Sequence, residues 1–265
     1  MIANTENFLA VDIGNTHAHF GIINQRKILD QWSVPTSSLG DDLSLWSWQD
    51  KLKGKKLSGC CYCSVAPSVN KVFERHLSKI VKKIHHLNCR NIKGIKIQYP
   101  KPEEIGQDRL ANAVAAKNLY GCPAIVIDMG TAVTFDILSA EGYYEGGIIA
   151  PGLSLMTHYL NEKTELLPKI PASEIEVPAS VIGKSTVAAM KVGCGLGYAG
   201  MIESMLKAVL EELRNSSQEK VSVTLTGGDA GKLLQSNLRV YDYEKSLTLL
   251  GLAIEFEHQD LTMVL

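Results

Sequence analysis

The sequence predicts an α/β protein made of two similar domains, and three observations lead to this prediction. First, "FLAVDIGNTHAHFGII" (residues 8–23) and "AIVIDMGTAVTFDIL" (residues 124–138) follow one plan, in which an apolar run ends in an acid and a glycine turn leads into a second apolar run. Second, three consecutive strands followed by alternating helices and strands occur twice along the chain. Third, 265 residues suit two domains of ordinary size or one large one.

The repeat also places the domain boundary. Asp12 aligns with Asp128, at an offset of 128 − 12 = 116 residues. The second copy begins shortly after Gly121, and no low-complexity linker separates the halves. We therefore expect an N-terminal domain over residues 1–121 and a C-terminal domain over residues 122–265, packed closely together.

Each element of the first half follows from its residue pattern. "FLAVDI", "AHFGIIN" and "KILDQWSV" are apolar runs joined by turn-forming residues, and they predict three strands. "DDLSLWSWQDKLKG" has helical spacing after an acidic start, and "LSGCCYCSVA" predicts a buried strand. "SVNKVFERHLSKIVKK" predicts an amphipathic helix, "IKGIKIQY" a short strand, and "GQDRLANAVAAKNLYG" a helix that ends at Gly121.

The second half restarts the same order. "AIVIDM", "AVTFDIL" and "YYEGGIIA" predict three strands, and "PGLSLMTHYLNEKTELL" predicts the helix after them. Residues 168–178 predict a loop, and "KSTVAAMKVGCGLGYAGMIESMLKAVLEELRN" predicts a long helical region whose glycines indicate close packing or a break. "VSVTLTGG" predicts a strand that runs into a glycine turn, and residues 246–258 predict the last helix.

Composition and charge exclude several classes of function. A hydrophobic fraction of 45% with 21% charged residues is typical of a folded soluble protein. The net charge of −1 comes from 27 basic and 28 acidic residues, so we expect no nucleic-acid partner bound through bulk charge. The N-terminus lacks a basic signal-peptide region, and no window approaches the ~18 apolar residues of a membrane span. We therefore expect a cytoplasmic protein without a membrane partner.

Cysteines and histidines cluster in the first half. They are Cys60, Cys61, Cys63, His85, His86 and Cys89. Their spacing fits no standard zinc-ligand pattern, and "LSGCCYCSV" equally predicts a buried strand with Cys61 and Cys63 on one face. The buried strand is the favoured interpretation, and structural disulfides are not expected in the cytoplasm.

Each of the two glycine turns, which follow Asp12 and Asp128, is suited to bind phosphate. Glycine and small polar residues let several backbone N–H groups point at one anion, and Asn15 and Thr16 add side-chain donors. Asp12 cannot itself attract phosphate, but it can hold a metal ion that bridges phosphate oxygens. Asp128 and Thr131 belong to the second copy, which could grip the same polyphosphate. The alternative is that "DIGNT" is only a tight turn, since Asp, Gly and Asn are common turn residues.

Two further motifs add weaker signals. In "IGQDRLANAVAA", Asp108 could act as the base for phosphoryl transfer to an alcohol and Arg109 could clamp an anion, but a plain helix cap is the local alternative. In "TLTGGDAGKLL", the turn at residues 226–229 could let the backbone pass close to an adenosine. The sequence contains no Walker motif, because "GKST" lacks the upstream glycine.

Taken together, these segments resemble the type III pantothenate kinases. "DIGNT" (residues 12–16), "GQDR" (residues 106–109) and "DMGTAVTFD" (residues 128–136) look like the three signatures of that family, in order. "GGIIAPGLSLM", "STVAAMKVG" and "TGGDAGKLL" also match its pattern, so the resemblance covers nearly the whole chain. The departures are Gln107, where a small residue is common in the family, and the cysteine cluster.

The resemblance implies a fold and a reaction. The fold would be that of the acetate and sugar kinase–actin superfamily, with two ribonuclease-H-like (actin-like ATPase) domains and ATP in the cleft between them. The reaction would transfer a phosphoryl group from ATP to pantothenate and give 4′-phosphopantothenate, in the first committed step towards coenzyme A. Magnesium would accompany ATP, potassium or ammonium would be required, and the enzyme would be a homodimer with pantothenate close to the subunit interface.

The resemblance also assigns roles to residues. Asp108 would be the base on the pantothenate hydroxyl, Asp128 would bind the monovalent cation, and Thr131 would contact ATP. The first phosphate loop would consist of Asp12, Ile13, Gly14, Asn15, Thr16, His17, Ala18 and His19, with Asp12 serving the ATP phosphates and their magnesium. Pantothenate would be held by Tyr99, Gly106, Gln107, Asp108, Arg109 and Thr186.

Two other functions compete with this one. Another kinase or phosphohydrolase of the same superfamily would act on a sugar or acetate, but this chain is short for the insertions that usually build sugar pockets. An accessory transcription factor of the Baf type would belong to a different class. The sequence offers no helix-turn-helix with a basic recognition face, and a non-catalytic regulator has no need of Asp12, Asp108 and Asp128.

Overall fold

The computed structural model divides the chain into two compact units. It describes residues 6–40, 48–176, 180–216, 219–228 and 241–262. The first unit comprises residues 1–120 together with residues 246–265, and the second comprises residues 121–245. The predicted division at residue 121 placed the last segment with the second half, whereas in the structure that segment packs with the first unit.

The described residues form eleven β-strands. They are β1 (Phe8–Ile13), β2 (His17–Asn24), β3 (Lys27–Pro35), β4 (Cys60–Ser64), β5 (Ile84–His86), β6 (Lys96–Ile97), β7 (Ala124–Met129), β8 (Ala132–Leu138), β9 (Tyr143–Pro151), β10 (Ser222–Thr226) and β11 (Asp242–Tyr243).

The α-helices of the described residues follow the strands of each unit. They are α1 (Pro67–Leu77), α2 (Gln107–Tyr120), α3 (Leu153–Glu162), α4 (Thr186–Ser216) and α5 (Leu247–Thr262). Short 3-10 turns lie at Thr36–Leu39, Trp48–Leu52, Pro102–Glu104 and Ala172–Glu174.

The sheets of the two units share one topology. In the first unit the strand order is β3-β2-β1-β4-β5, with β1, β2 and β3 antiparallel and with β4 and β5 parallel to β1. In the second unit the order β9-β8-β7-β10-β11 repeats it, again with three antiparallel strands followed by two parallel ones. The repeat seen in the sequence is therefore a structural repeat. Asp12 and Asp128 occupy equivalent positions, one residue before the end of β1 and of β7.

Both faces of the first sheet are covered. Alternate residues of β1, such as Leu9 and Val11, join a core with Phe73 of α1. On the other side, the ring of Phe8 stacks on Phe256 of α5 with centroids 5.0 Å apart. The neighbouring helix α2 is buried on almost all of its sides, and most of its buried residues are alanines. These small side chains let α5 approach α2 closely.

The second unit has a core of its own. Ile125, Ile127 and Met129 on β7 pack in one cluster with Tyr198 and Ile202 of α4. The helix α4 runs unbroken for 31 residues, so its glycines do not interrupt it. No helix among the described residues is long and apolar enough to span a membrane.

Four predicted elements differ from the observed ones, and one of them is the helix predicted over residues 151–167, which ends at Glu162. The predicted helix over residues 41–54 is a 3-10 turn where it is described, from Trp48 to Leu52, and residues 41–47 lie outside the described residues. The helix predicted to reach residue 83 ends at Leu77, because the chain must then turn back to pair β5 with β4. The strand predicted over residues 92–99 is reduced to the two residues of β6.

Candidate functional site

The first phosphate loop is a tight turn between β1 and β2. The backbone N–H of Gly14 donates to the carbonyl of His17 at 3.0 Å, and a Cβ on Gly14 would lie 2.9 Å from that carbonyl oxygen. Thr36 fixes the turn from the side, because its hydroxyl donates to the carbonyl of Gly14 at 2.7 Å and its N–H donates to that of Thr16 at 2.9 Å. The turn is thus held rigidly before any ligand binds.

The loop exposes four of its residues to solvent. Asn15, Thr16, His17 and His19 are exposed, while Ile13 and Ala18 point into the core. The exposed residues can offer side-chain donors to an anion, whereas Ile13 and Ala18 can offer only backbone groups.

Asp12 lies beside a buried thiol. In the parallel pairing of β1 with β4, Asp12 is in register with Cys63, and the Cys63 thiol donates a hydrogen bond to Asp12 Oδ1 at 3.3 Å. Burial raises the pKa of the Cys63 thiol well above its ordinary value, and the nearby charges of Asp12 and Asp108 raise it further. The thiol therefore stays protonated and retains the hydrogen that it donates to Asp12. The start of α2, which carries Asp108, lies at the same end of this sheet, because the side chain of Gln107 accepts the backbone N–H of Ser64, the residue after Cys63 on β4.

Asp108 is the second residue of α2. Its Oδ1 accepts the backbone N–H of Arg109 at 2.9 Å. A Cβ on Gly106 would lie 2.5 Å from the same oxygen, so glycine at this position leaves room for the carboxylate. Burial raises the pKa of Asp108 above 3.8, and hydrogen bonding and charge from Arg109 oppose this only in part. A carboxylate with a raised pKa is a stronger base than an ordinary aspartate.

In the second unit, glycine backbones crowd around Asp128. Gly130 closes the turn after β7 by donating its N–H to the carbonyl of Ala132 at 3.0 Å. A Cβ on Gly152 would lie 2.2 Å from the carbonyl oxygen of Gly130. Gly227 has a φ of +90°, and a Cβ there would lie 2.6 Å from Asp128 Oδ1. The turn after β10 therefore approaches Asp128 as closely as only glycine permits.

Two threonines flank Asp128 on the neighbouring strands. Thr134 of β8 and Thr226 of β10 are both in register with it, so the three side chains emerge on one face of the sheet. Thr226 is 2% exposed, and the buried hydroxyl of Thr134 has no hydrogen-bond partner among the described residues. One carboxylate and two hydroxyls are hard oxygen ligands, and they suit a cation such as potassium.

The remaining predicted residues lie at the edges of elements. Tyr99 lies in the loop after β6 and is partly exposed, and Gly106 to Arg109 are half-buried. Thr131 is exposed on the second loop. Thr186 is the first residue of α4 and lines an apolar groove of about 930 Å³ beside α3. Asp229, the last residue of the predicted glycine turn at residues 226–229, lies outside the described residues.

The structure places three residues beside the predicted acids to which the sequence alone gave no such place. They are Cys63, Thr134 and Thr226. Each lies next to a predicted acid because neighbouring strands pair in a particular register, and a single sequence does not reveal that register. A signal for Thr134 and Thr226 did exist, because each lies inside one of the motifs already singled out. In the described part of the chain, no group of three or more His, Cys, Asp or Glu residues could hold a metal ion.

A model of the type III pantothenate kinase family matches residues 8–208, which include all three motifs. The chain belongs to the type III pantothenate kinase family. A relative named type III pantothenate kinase from Akkermansia muciniphila is 38% identical over 248 residues, covering 93% of this chain and 97% of the relative. A second, from Dehalococcoides mccartyi, is 38% identical over 261 residues, covering 96% and 98%.

Solved structures show the fold. A protein from Campylobacter jejuni described as a member of the Baf family of transcriptional activators matches with a TM-score of 0.58 at 20% identity, covering 97% of this chain and 100% of that one. An inorganic polyphosphate/ATP-glucomannokinase from Arthrobacter matches with a TM-score of 0.50 at 14% identity, covering 96% and 99%. With the repeated topology, these matches confirm the predicted α/β fold with two similar units. Family membership makes this type III pantothenate kinase a phosphotransferase.

Proposed function

We propose that this kinase transfers the γ-phosphoryl group of ATP to the hydroxyl of pantothenate, which gives 4′-phosphopantothenate and ADP in the first step of coenzyme A biosynthesis. The observation that carries the proposal is the family match over residues 8–208 with Asp12, Asp108 and Asp128 all present. The geometry supports the proposal, because Asp12 is in register with Cys63 near the end of β4, and Gln107, next to Asp108, accepts the N–H of Ser64 at the end of the same strand.

Asp108 is proposed to act as the general base. Its carboxylate accepts the hydroxyl proton of pantothenate while the hydroxyl oxygen forms a bond to the γ-phosphorus. The bond from that phosphorus to the bridging oxygen breaks, and ADP leaves with the bond's electrons. The raised pKa of Asp108 and its fixed hydrogen bond to the N–H of Arg109 support the role, since a base must be both basic enough and well oriented.

The two loops are proposed to bind ATP. The backbone N–H groups and exposed side chains of Asn15 and Thr16 would donate to phosphate oxygens, and Thr131 of the second loop would contact the nucleotide. Asp12 would hold magnesium, which when bound neutralises phosphate charge. Pantothenate would contact Tyr99, Gly106, Gln107, Asp108, Arg109 and Thr186.

Asp128 is proposed to hold potassium or ammonium. Support comes from the two threonine hydroxyls in register with it, of which that of Thr134 is buried and has no hydrogen-bond partner in the part of the chain that the structure describes. A monovalent cation needs several oxygen ligands and little charge, and a single carboxylate with two hydroxyls meets that need.

The enzyme is proposed to be a cytoplasmic homodimer that joins through α3 and α4. These helices expose several large apolar side chains beside the groove of about 930 Å³. They are Leu155 (43% exposed), Tyr159 (62%), Val187 (41%) and Leu196 (48%). A Cβ on Gly193, Gly197 or Gly200 of α4 would meet nothing within 4 Å, so another helix could approach this helix closely. A contiguous apolar face of this kind is typical of a protein–protein interface.

One assay tests the proposed reaction. ATP-dependent phosphorylation is measured with pantothenate and with a panel of sugars and acetate, each in potassium, ammonium or sodium buffer. We expect turnover with pantothenate alone, and only with potassium or ammonium. Turnover with a sugar or acetate at a higher kcat/KM than with pantothenate would refute the substrate assignment.

A further inference from the structure

The side chain of Gln107 joins three elements beside Asp108. Its Oε1 accepts the backbone N–H of Ser64, the last residue of β4, at 2.8 Å, and it lies 2.9 Å from Nε2 of His86, the last residue of β5. Gln107 itself is the first residue of α2. A single amide oxygen thus ties the start of the helix that carries Asp108 to the ends of two parallel strands.

These contacts determine which nitrogen of His86 carries the proton. A backbone N–H can only donate, so the atom of Gln107 that faces Ser64 must be the oxygen. His86 can then bond to the same oxygen only as a donor, which requires the proton on Nε2. The neutral ring is therefore the Nε2–H tautomer, with its lone pair on Nδ1.

The His86 ring is itself held in place. It stacks on Tyr62 of β4 with ring centroids 4.3 Å apart and an interplanar angle of 14°. The Tyr62 hydroxyl donates to Glu74 of α1, whose Oε1 lies 3.9 Å from Nδ1 of His86. Ser64 is fixed as well, because its hydroxyl donates to Asn70 at 2.7 Å. The partners of Gln107 are thus anchored to α1 and to the central strands.

The same strand ends adjoin the first phosphate loop. Ser64 is in register with Ile13, and the N–H of Val65 donates to the carbonyl of Ile13 at 2.9 Å. Asp12 and Asp108 are therefore connected through two fixed steps, from β1 to β4 by the strand ladder and from β4 to α2 by Gln107. A helix start held only by its own backbone would leave Asp108 free to shift.

We propose that Gln107 is a positioning residue that sets the location of the Asp108 carboxylate relative to Asp12, with His86 as its second anchor. The inference rests on the proposed function, since it assigns Gln107 a role in that reaction. The side-chain oxygen of Gln107 is already used twice by the protein, so this oxygen acts on the substrate site through the geometry of α2, and the proposed contact with pantothenate would come from other atoms of Gln107. Displacing a catalytic group by about 1 Å can cost about 100-fold in rate.

The test replaces Gln107 by a side chain of similar size that lacks the acceptor. Gln107→Met should lower kcat about tenfold or more, while KM for ATP stays within about twofold, because the ATP loop is untouched. Gln107→Glu restores an oxygen acceptor and should recover most of kcat at pH 9, where both carboxylates are ionised. A normal kcat in folded Gln107→Met would overturn the proposal.

A matched control separates positioning from stability. Gln259 of α5 donates to the carbonyl of Asn91 and to Glu255, each at 2.7 Å, in the same unit. Gln259→Met should lower the unfolding temperature without changing kcat, and an equal loss of kcat in both variants would overturn the proposal. If Gln107→Met does not fold, His86→Phe keeps the stacked ring, removes one anchor, and should lower kcat by a smaller factor.

A second readout does not depend on the substrate. Histidine ¹⁵N spectra should show His86 as the Nε2–H tautomer in the native protein and as a mixture of tautomers in Gln107→Met. An Nδ1–H tautomer in the native protein would overturn the inference even if pantothenate is phosphorylated. If His86 shows the expected tautomer but pantothenate is not phosphorylated, the proposed function is refuted. Gln107 then has no positioning role in that reaction.

Discussion

The thiol of Cys63 donates a hydrogen bond to Oδ1 of Asp12 across the parallel pairing of β1 and β4, at 3.3 Å. The pKa of the thiol is raised, so the thiol stays protonated at neutral pH. Because the thiol is fully buried, water does not compete for its hydrogen bond to Asp12. It orients the carboxylate that we assign to magnesium. Cys60, Cys61 and Cys63 all belong to the buried strand β4, and Cys63 also contacts a residue of the candidate site.

Removing the Cys63 donor should weaken the use of magnesium. Cys63→Ala should raise the magnesium concentration that gives half-maximal activity several-fold, because Asp12 loses a partner that fixes its orientation. Cys63→Ser retains a donor and should remain close to the native enzyme. Cys61→Ala removes an equally buried thiol from the same strand and serves as the control for packing. An unchanged magnesium titration in Cys63→Ala would show that the thiol only fills space.

Asp108→Asn should abolish turnover and stabilise the protein at the same time. A general base contributes about 10²- to 10⁴-fold, so kcat should fall by that range while ATP still binds. Burial raises the pKa of Asp108 in the folded state above 3.8, so ionisation at neutral pH disfavours folding. This aspartate's favourable contribution is complete below pH 3.8 and is lost as the pH rises through the folded-state pKa.

Two pH profiles check the predicted gain in stability and the predicted role of Asp108 as the base. The gain in unfolding temperature of Asp108→Asn over the native enzyme should be present at pH 8 and vanish below about pH 4. In the native enzyme, kcat/KM should fall as the pH is lowered through the raised pKa, above the range of an ordinary aspartate. A variant no more stable than the native enzyme at pH 8 would contradict the effect of burial, and near-normal turnover would exclude Asp108 as the base.

The threonines beside Asp128 predict a change in cation dependence. Thr134→Val keeps the shape of the side chain and removes the hydroxyl that is buried and unpartnered among the described residues. We expect the potassium concentration for half-maximal activity to rise several-fold, with little change in KM for ATP. Thr224→Val, on β10 and also buried, is the matched control. Activity that is equal in sodium and in potassium would argue against a cation at Asp128 altogether.

The repeated strand–turn–strand order of the two units could be predicted because short stretches of sequence are enough to indicate it. Apolar runs ending in Asp12 and Asp128, each followed by a glycine turn, mark strand, turn and strand without any long-range information. Strand β5 was missed because three residues are too few to show a period of two. It is held by parallel pairing with β4, which depends on the rest of the sheet.

The place of the C-terminal helix could not be predicted from local patterns. A Cβ on Gly251 would lie 1.9 Å from the carbonyl oxygen of Ala111, so α5 packs directly on the backbone of α2. The buried carboxylate of Glu255 then accepts the N–H groups of Lys93 and Gly94, each at 2.8 Å. These contacts join residues more than 130 positions apart, and they assign the last helix to the first unit. Likewise, the sequence indicated the candidate acids Asp12, Asp108 and Asp128 but not the side chains that contact them.

The apolar face of α3 and α4 predicts the oligomeric state. Introducing a charge there should separate the subunits, because an ionised carboxylate in an apolar interface loses its hydration without gaining a partner. Leu155→Glu and Tyr159→Glu should therefore shift the mass measured by light scattering from two chains to one. Leu29→Glu, at a side chain 58% exposed on β3, is the control and should remain a dimer. If the native enzyme is a dimer and both α3 variants stay dimeric, the subunits join through another surface. If pantothenate binds close to the interface, as family membership leads us to expect, the monomeric variants should also lose affinity for pantothenate more than for ATP.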